Sequence, residues 1–267
     1  MANKLLMAKS PEEAIGAKTA RDAFLAGGTE VNRLGSETAE KADTLISLKK
    51  CSGLKGISED AGCVTIGAMT TFQELVESPK TPEWLKEAAL FMASRTKRNM
   101  ATIGGNIAAK RDDSYLIPSL SAAGAVIELL GRDGKKSRAG IAEYIGGKCD
   151  ALITSVTVPK DIKMASKRYA NTAQSHAVLT MSAAMSDEGI CLNGAVKNAG
   201  LLHFCDLEKK FRKEPDVSEE DIIEMVRTCT GLETADDMFG SDAYKRYLIA
   251  VTAYDLHRQL MGKEVQR

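Results

Sequence analysis

Two short segments carry the residue types best suited to binding chemistry: Leu25-Ala26-Gly27-Gly28-Thr29-Glu30-Val31-Asn32 and Ala101-Thr102-Ile103-Gly104-Gly105-Asn106. Each sets a Gly-Gly pair beside threonine. Glycine admits positive φ and lets backbone approach a ligand closely. Successive N–H groups then converge on an anion, with the threonine hydroxyl as a further donor. The first segment leads toward a short helix expected from Val31 to Leu34, whose positive end suits a pyrophosphate. In the second, the Asn106 amide both donates and accepts. Together the segments suggest a diphosphate gripped from two sides. A Gly-Gly pair also serves a plain tight turn, and neither segment has the G-x-G-x-x-G spacing of a dinucleotide fold.

The remaining chemistry-bearing residues mostly exclude. Histidine occurs only as His176, His203 and His257, and no Ser-His-Asp, Cys-His or paired-carboxylate arrangement emerges, so histidine-based hydrolysis is not expected. Cysteines stand at 51, 63, 149, 191, 205 and 229, never as C-x-x-C, and neither a zinc site nor an iron–sulfur cluster is expected. Scattered thiols in a chain without an evident leader read as reduced and buried. If the protein moves electrons, any clusters belong to another chain. Lys plus Arg number 36 and Asp plus Glu 36, a balance that favours neither nucleic acid nor an anionic membrane. No apolar run approaches bilayer-spanning length. The opening M-A-N-K-L-L-M-A-K is too short for a signal peptide, so a cytoplasmic protein is expected.

Around these segments the pattern alternates strand and helix. K-L-L-M-A reads as a strand, and Ser10-Pro11-Glu12-Glu13 as a helix start. Ala23 to Ala26 is a strand running into the first glycine pair, and Thr44 to Leu48 another, which makes a small α/β unit. A hairpin turning at Asp60-Ala61-Gly62 follows. Helices are expected over Thr71 to Glu77 and from Thr81-Pro82-Glu83, the latter with Trp84, Leu85, Ala88, Ala89 and Met92 at helical spacing. L-I-P-S-L-S-A-A-G-A-V-I-E-L-L reads as a helix feeding a strand, and A-L-I-T-S-V-T-V-P as a closing strand. Beyond Lys163, two strands turn at Asp187-Glu188-Gly189, and two helices begin at Ser218 and near Ser241. The last helix is expected to put Tyr244, Tyr247, Leu248, Val251 and Tyr254 on one face. Helices on one side of a short antiparallel sheet would close this part, and the charged stretch Glu208 to Glu220 reads as a solvated loop.

The segments F-L-A-G-G-T-E-V-N, A-T-I-G-G-N-I-A and S-D-A-Y-K-R-Y-L together resemble the flavoprotein subunit of the molybdenum hydroxylases. That family includes the FAD subunits of xanthine dehydrogenase and aerobic carbon monoxide dehydrogenase. The likeness runs along nearly the whole chain, and T-I-G-G-N is its most specific element. It implies an α+β fold with a vanillyl-alcohol oxidase-type FAD-binding domain over residues 1–161, made of two α/β subdomains (about 1–55 and 56–161). A C-terminal antiparallel sheet-and-helices domain would occupy 162–267.

The resemblance also implies FAD as cofactor, held by Leu25 to Asn32 and Ala101 to Asn106, with Ile153 as an apolar neighbour and Lys167 as a flavin contact. His176 lies where members often carry an aromatic near the isoalloxazine. After the second glycine pair, members usually continue with a small residue, a proline and an aspartate that contacts the nucleotide. Here A-A-K-R-D-D-S-Y-L-I-P puts Tyr115 in the aspartate's place. Either Asp112 or Asp113 substitutes from a shifted turn or the contact is lost, while Lys110 and Arg111 offer charges to phosphate. The implied partners are a large molybdopterin-binding subunit and a small [2Fe–2S] subunit, with electrons passing through FAD to NAD or another acceptor. The rivals are a non-catalytic scaffold that has lost tight FAD and a stand-alone flavin oxidoreductase.

Overall fold

The computed structural model describes residues 4–33, 36 and 41–263. In chain order the elements begin with β1 (Lys4–Met7), α1 (Pro11–Ala17), β2 (Ala23–Leu25), β3 (Thr44–Ser47), β4 (Ile57–Asp60) and β5 (Cys63–Gly67). Next come α2 (Phe72–Glu77), α3 (Glu83–Leu90), α4 (Arg95–Arg98), α5 (Ile103–Ala109) and α6 (Ile117–Ala122). Then follow β6 (Val126–Leu130), β7 (Lys136–Gly140), α7 (Ile141–Gly146) and β8 (Leu152–Pro159). The C-terminal part runs β9 (Lys163–Tyr169), β10 (Leu179–Ser186), β11 (Gly189–Val196), β12 (Gly200–His203), α8 (Cys205–Lys213), α9 (Glu219–Thr228) and α10 (Asp242–Leu260).

Backbone packing divides the chain into two compact units. The first comprises Met1–Pro82, Ser94–Lys110 and Gly124–Lys160, and the second Glu83–Ala93, Arg111–Ala123 and Asp161–Arg267. Two middle segments thus pack with the C-terminal part, a grouping that order along the chain does not reveal.

In the first unit, β1, β3 and β2 form a parallel sheet in that order. Ser10 Oγ accepts the Glu13 N–H and Pro11 opens α1, as the local residues dictate. Ala14 and Ile15 of α1 and Ile46 of β3 meet in one apolar cluster with Leu54. The helix expected to begin over Val31 to Leu34 is a turn over the described residues, and Leu34 lies outside them. The second sheet of this unit has order β4-β5-β8-β6-β7 with antiparallel neighbours throughout. Strand β5 alternates, with Val64 and Ile66 buried while Cys63 and Thr65 face out. Helix α2 starts with a reciprocal cap: Thr71 Oγ1 accepts the Glu74 N–H, and the Glu74 carboxylate accepts the Thr71 N–H.

The second unit is built on an antiparallel sheet of order β12-β11-β10-β9. Helices cover it on both faces rather than the expected one. Leu179, Met181 and Ala183 of β10 join Phe211, Ile249 and Leu256 in one core. The alternate residues Thr180 and Ser182 are buried as well, and Ser182 Oγ lies 2.8 Å from Ser119 Oγ of α6. The stretch expected as a solvated loop is in part α8, because Leu207 and Phe211, one helical turn apart, are buried against the sheet. Helix α10 is buried nearly all round from Leu248 to Leu256, whereas Tyr244 and Tyr247 are exposed, so its apolar surface is not the face expected. Lys245, only 1 % exposed, donates to the Ala235 carbonyl and lies 2.5 Å from Asp237, tying down the turn before this helix.

Candidate functional site

Both glycine segments belong to the first unit, and they touch. A Cβ on Gly27 would fall 1.6 Å from the Met100 carbonyl oxygen, so no other residue fits there without moving backbone. Gly28 is buried with φ 78°, the left-handed region that only glycine enters freely. The chain then turns back, with Asn32 N–H donating to the Gly28 carbonyl. Glu30 pairs with Arg33 at 3.1 Å, which offsets the one acidic charge of the segment. Among the described residues, the N–H groups of Gly27, Gly28, Thr29 and Val31 have no hydrogen-bond acceptor. Four unspent donors around a left-handed glycine are complementary to the oxygens of a diphosphate, so these residues fit an anionic cofactor group.

The second segment has a different geometry. It is the start of a helix, α5, with Thr102 as its N-cap. Its amides are spent: Ile103 N–H donates to the Thr70 carbonyl, Gly104 N–H to the Ala68 carbonyl, Gly105 N–H to Thr102 Oγ1 and Asn106 N–H to the Thr102 carbonyl. A Cβ on Gly104 would sit 2.7 Å from Ala68 Cβ and 2.9 Å from its carbonyl oxygen. Glycine is needed here for close packing on the 67–70 turn, not for a nest of free amides. Gly105 and Asn106 are half-buried. The sequence does not announce the turn that anchors this helix; its signal is the small pair Gly67-Ala68 at the end of a strand. Ile153 is buried in β8, opposite Leu129 of β6, and α5 packs on the same strand.

The other expected contacts lie in or beside the second unit and have partners within the chain. Asp112 accepts from Lys197 Nζ at 2.7 Å and from the Asn198 N–H at 2.8 Å. Asp113, 3 % exposed, accepts both arms of Arg111 at 2.7 Å and lies 2.7 Å from His176 Nδ1. Burial pushes the Asp113 carboxyl up, but Arg111, with Lys197 and His176, outweighs this and holds it below the usual carboxylate range. Tyr115 is half-buried, its ring under the Arg168 guanidinium at 5.4 Å, and burial raises its phenol. Lys167 Nζ lies 2.5 Å from the buried Asp255. In the first unit, Lys110 donates to the carbonyls of Tyr144, Ile145 and Gly147 and so caps the end of α7. Its charge serves a helix terminus.

Residues 2–161 match the family described as the FAD binding domain in molybdopterin dehydrogenase. The protein YgfM of Escherichia coli K12 is 32 % identical over 247 residues, covering 90 % of this chain and 89 % of its own length. The carbon monoxide dehydrogenase medium chain of Afipia carboxidovorans is 33 % identical over 178 residues, covering 59 % of this chain and 61 % of its own. The fold is similar to that of quinoline 2-oxidoreductase from Pseudomonas putida 86, with a TM-score of 0.84 and 98 % of both chains covered at 18 % identity. It is also similar to that of carbon monoxide dehydrogenase from Hydrogenophaga pseudoflava, with a TM-score of 0.83 at 21 % identity over 98 % of both chains. The chain is therefore a member of the FAD-binding domain family of the molybdopterin dehydrogenases, the flavoprotein subunits of the molybdenum hydroxylases.

Proposed function

We propose that this chain is the FAD-binding, electron-transferring subunit of a molybdenum hydroxylase complex. FAD, when bound, supplies the redox chemistry, accepting electrons from the [2Fe–2S] clusters of a partner and delivering them to NAD or another acceptor. The observation that carries the reading is the set of N–H groups at Gly27, Gly28, Thr29 and Val31 that find no acceptor among the described residues. They would hold the diphosphate without reorganising, because the contact of Gly27 on Met100 already fixes the turn. Gly105 and Asn106 would line the same cofactor, and Ile153 would support it from β8. The protein needs no acid or base of its own for this task, in keeping with the lack of a catalytic constellation in its sequence.

A second reading, a subunit of this fold that binds FAD loosely, is favoured by one observation. Asp112 and Asp113 are committed to Lys197, Asn198, Arg111 and His176, and Tyr115 stands where family members carry aspartate. One experiment separates the two. The chain purified with its neighbouring subunits should carry stoichiometric flavin by absorption and co-purify with a molybdopterin subunit and a [2Fe–2S] subunit. A complex that assembles without flavin, with apo-protein showing no saturable FAD binding, would overturn the first reading in favour of the second.

A further inference from the structure

In the second unit, Cys191 of β11, His203 at the end of β12 and Glu208 in the first turn of α8 converge. The thiol sulfur, a ring nitrogen and a carboxylate oxygen all lie within 4.8 Å of one another. The register explains the meeting. Asn193 faces His203 across the β11–β12 ladder, and its amide nitrogen is 3.3 Å from Cys191 Sγ, so both side chains of β11 share a face with the imidazole. His203 Nε2 is 2.8 Å from Glu208 Oε1, and the same oxygen accepts the Leu192 N–H at 2.6 Å. Cys205 Sγ is 3.2 Å from the other ring nitrogen, Nδ1. Cys191 and Glu208 are half-buried, while His203 is open to solvent.

We propose that Cys191, His203 and Glu208 form a binding site for one divalent ion of the zinc type. Thiolate, imidazole and carboxylate are the donors zinc takes, at about 2.0–2.3 Å, whereas magnesium and calcium require oxygen sets. Ligand atoms on such an ion stand about 3–4 Å apart, so small side-chain movements close this cluster around it. The groups that orient the ligands are already in place. The Leu192 amide fixes the Glu208 carboxylate, and Cys205 Sγ stands against the outer nitrogen of the His203 ring. Because His203 is exposed, water can reach the cluster to complete the set. The role is structural: the ion joins β11, the edge strand β12 and α8, an otherwise strongly charged helix with only Leu207 and Phe211 buried.

The test uses the full-length protein, stripped of metal and kept reduced. Zinc titrated against a chromophoric chelator should bind once per chain and raise the melting temperature. Cobalt should add a thiolate-to-metal charge-transfer band to the difference spectrum over the same sample before addition. Cys191→Ser should abolish the band, and His203→Gln and Glu208→Gln should each weaken zinc binding by about tenfold or more. Contrary to the expectation of buried thiols, Cys63, Cys149 and Cys205 are exposed, and Cys63→Ser and Cys149→Ser, remote controls, should change neither signal. His203 is exposed, so His203→Gln keeps the test open even if Cys191→Ser folds poorly. Absence of saturable binding, a cobalt complex without the thiolate band, or unchanged affinity in His203→Gln would each overturn the proposal.

Discussion

The two Gly-Gly segments read alike and are built for different purposes. In the first, the glycines make a left-handed turn in which the amides of Gly27, Gly28, Thr29 and Val31 find no acceptor among the described residues. In the second, they let a helix start approach the 67–70 turn, and every amide from Ile103 to Asn106 is taken. A motif therefore states that backbone must come close to something. What it comes close to, a ligand or a neighbouring carbonyl, depends on where other segments put their acceptors.

The sharpest way to break this contrast is at the contact between the segments. Gly27→Ala forces a Cβ to 1.6 Å from a backbone oxygen that cannot rotate away, and a loss of about 4 kcal/mol or more is expected in chemical denaturation. Gly104→Ala, whose clash is milder, should cost about 1–3 kcal/mol. If Gly27→Ala melts like the wild type, the packing of the two segments is not as described.

Asp113 extends the contrast to acceptors, since its carboxylate is saturated from within the chain. Asp113→Asn should destabilise by about 3 kcal/mol, the cost of leaving Arg111 without its buried partner. Its folded pKa lies below the ordinary 3.8, so the stabilisation is complete above that value and is lost as pH falls through the depressed one. Acid denaturation profiles should show this loss in the wild type and not in the variant. Equal acid sensitivity of the two proteins would contradict the assigned role.

A finer cut compares Gly28 with Gly105. Gly28→Ala should cost about 1 kcal/mol through its φ of 78° and weaken FAD binding by tenfold or more, as turned amides lose their aim. Gly105→Ala meets Thr102 Oγ1 at 2.8 Å and Ala26 Cβ at an ordinary 3.6 Å, within ordinary helical φ, and should weaken FAD binding by less than tenfold. FAD titration of both apo-proteins checks the order; the reverse ranking would assign the diphosphate to the second segment.

The smallest effect is a control for unpartnered polar atoms that are not a site. His257 is buried, stacked on Phe211 at 4.2 Å, and its Nδ1 has no hydrogen-bond partner. Burial, with Lys263 and Arg258 nearby, lowers its pKa below 6.5. The unfolded chain therefore takes up the proton first, and stability is lost as pH falls from 6.5 toward the folded value. His257→Phe should remove that slope, a gain of about 1 kcal/mol or less near pH 5 measured by thermal unfolding. An unchanged slope would mean that other groups carry it.

Local chemistry made much of the fold legible. Ser10-Pro11, Thr71 with Glu74, and Ser218 with Asp221 each satisfy a helix start within four residues, so their caps appear where the text puts them. The hairpin at Asp60-Ala61-Gly62 is equally local, with positive φ at Ala61 and Gly62. Helix α8 was hidden because just Leu207 and Phe211 mark its apolar side among charges, and its N-cap Phe204 offers no side-chain acceptor. The face of α10 was misjudged for a related reason. Tyrosine reads as apolar by composition, but Tyr244 and Tyr247 stand on the first turns, before the stretch that the sheet covers.

Taken alone, the residues determined the family, many of the strands and helices with their local caps, and that backbone comes close to something at both Gly-Gly pairs. Those follow from short-range sterics and hydrogen bonding, which act within a few positions of the chain. Only the tertiary structure decided which amides stay free, which carboxylates are already neutralised, and that Cys191, His203 and Glu208 meet. Each of these depends on an acceptor, a charge or a strand register supplied by a distant segment. A donor's fate is settled by what folds against it, and no spacing along the chain encodes that.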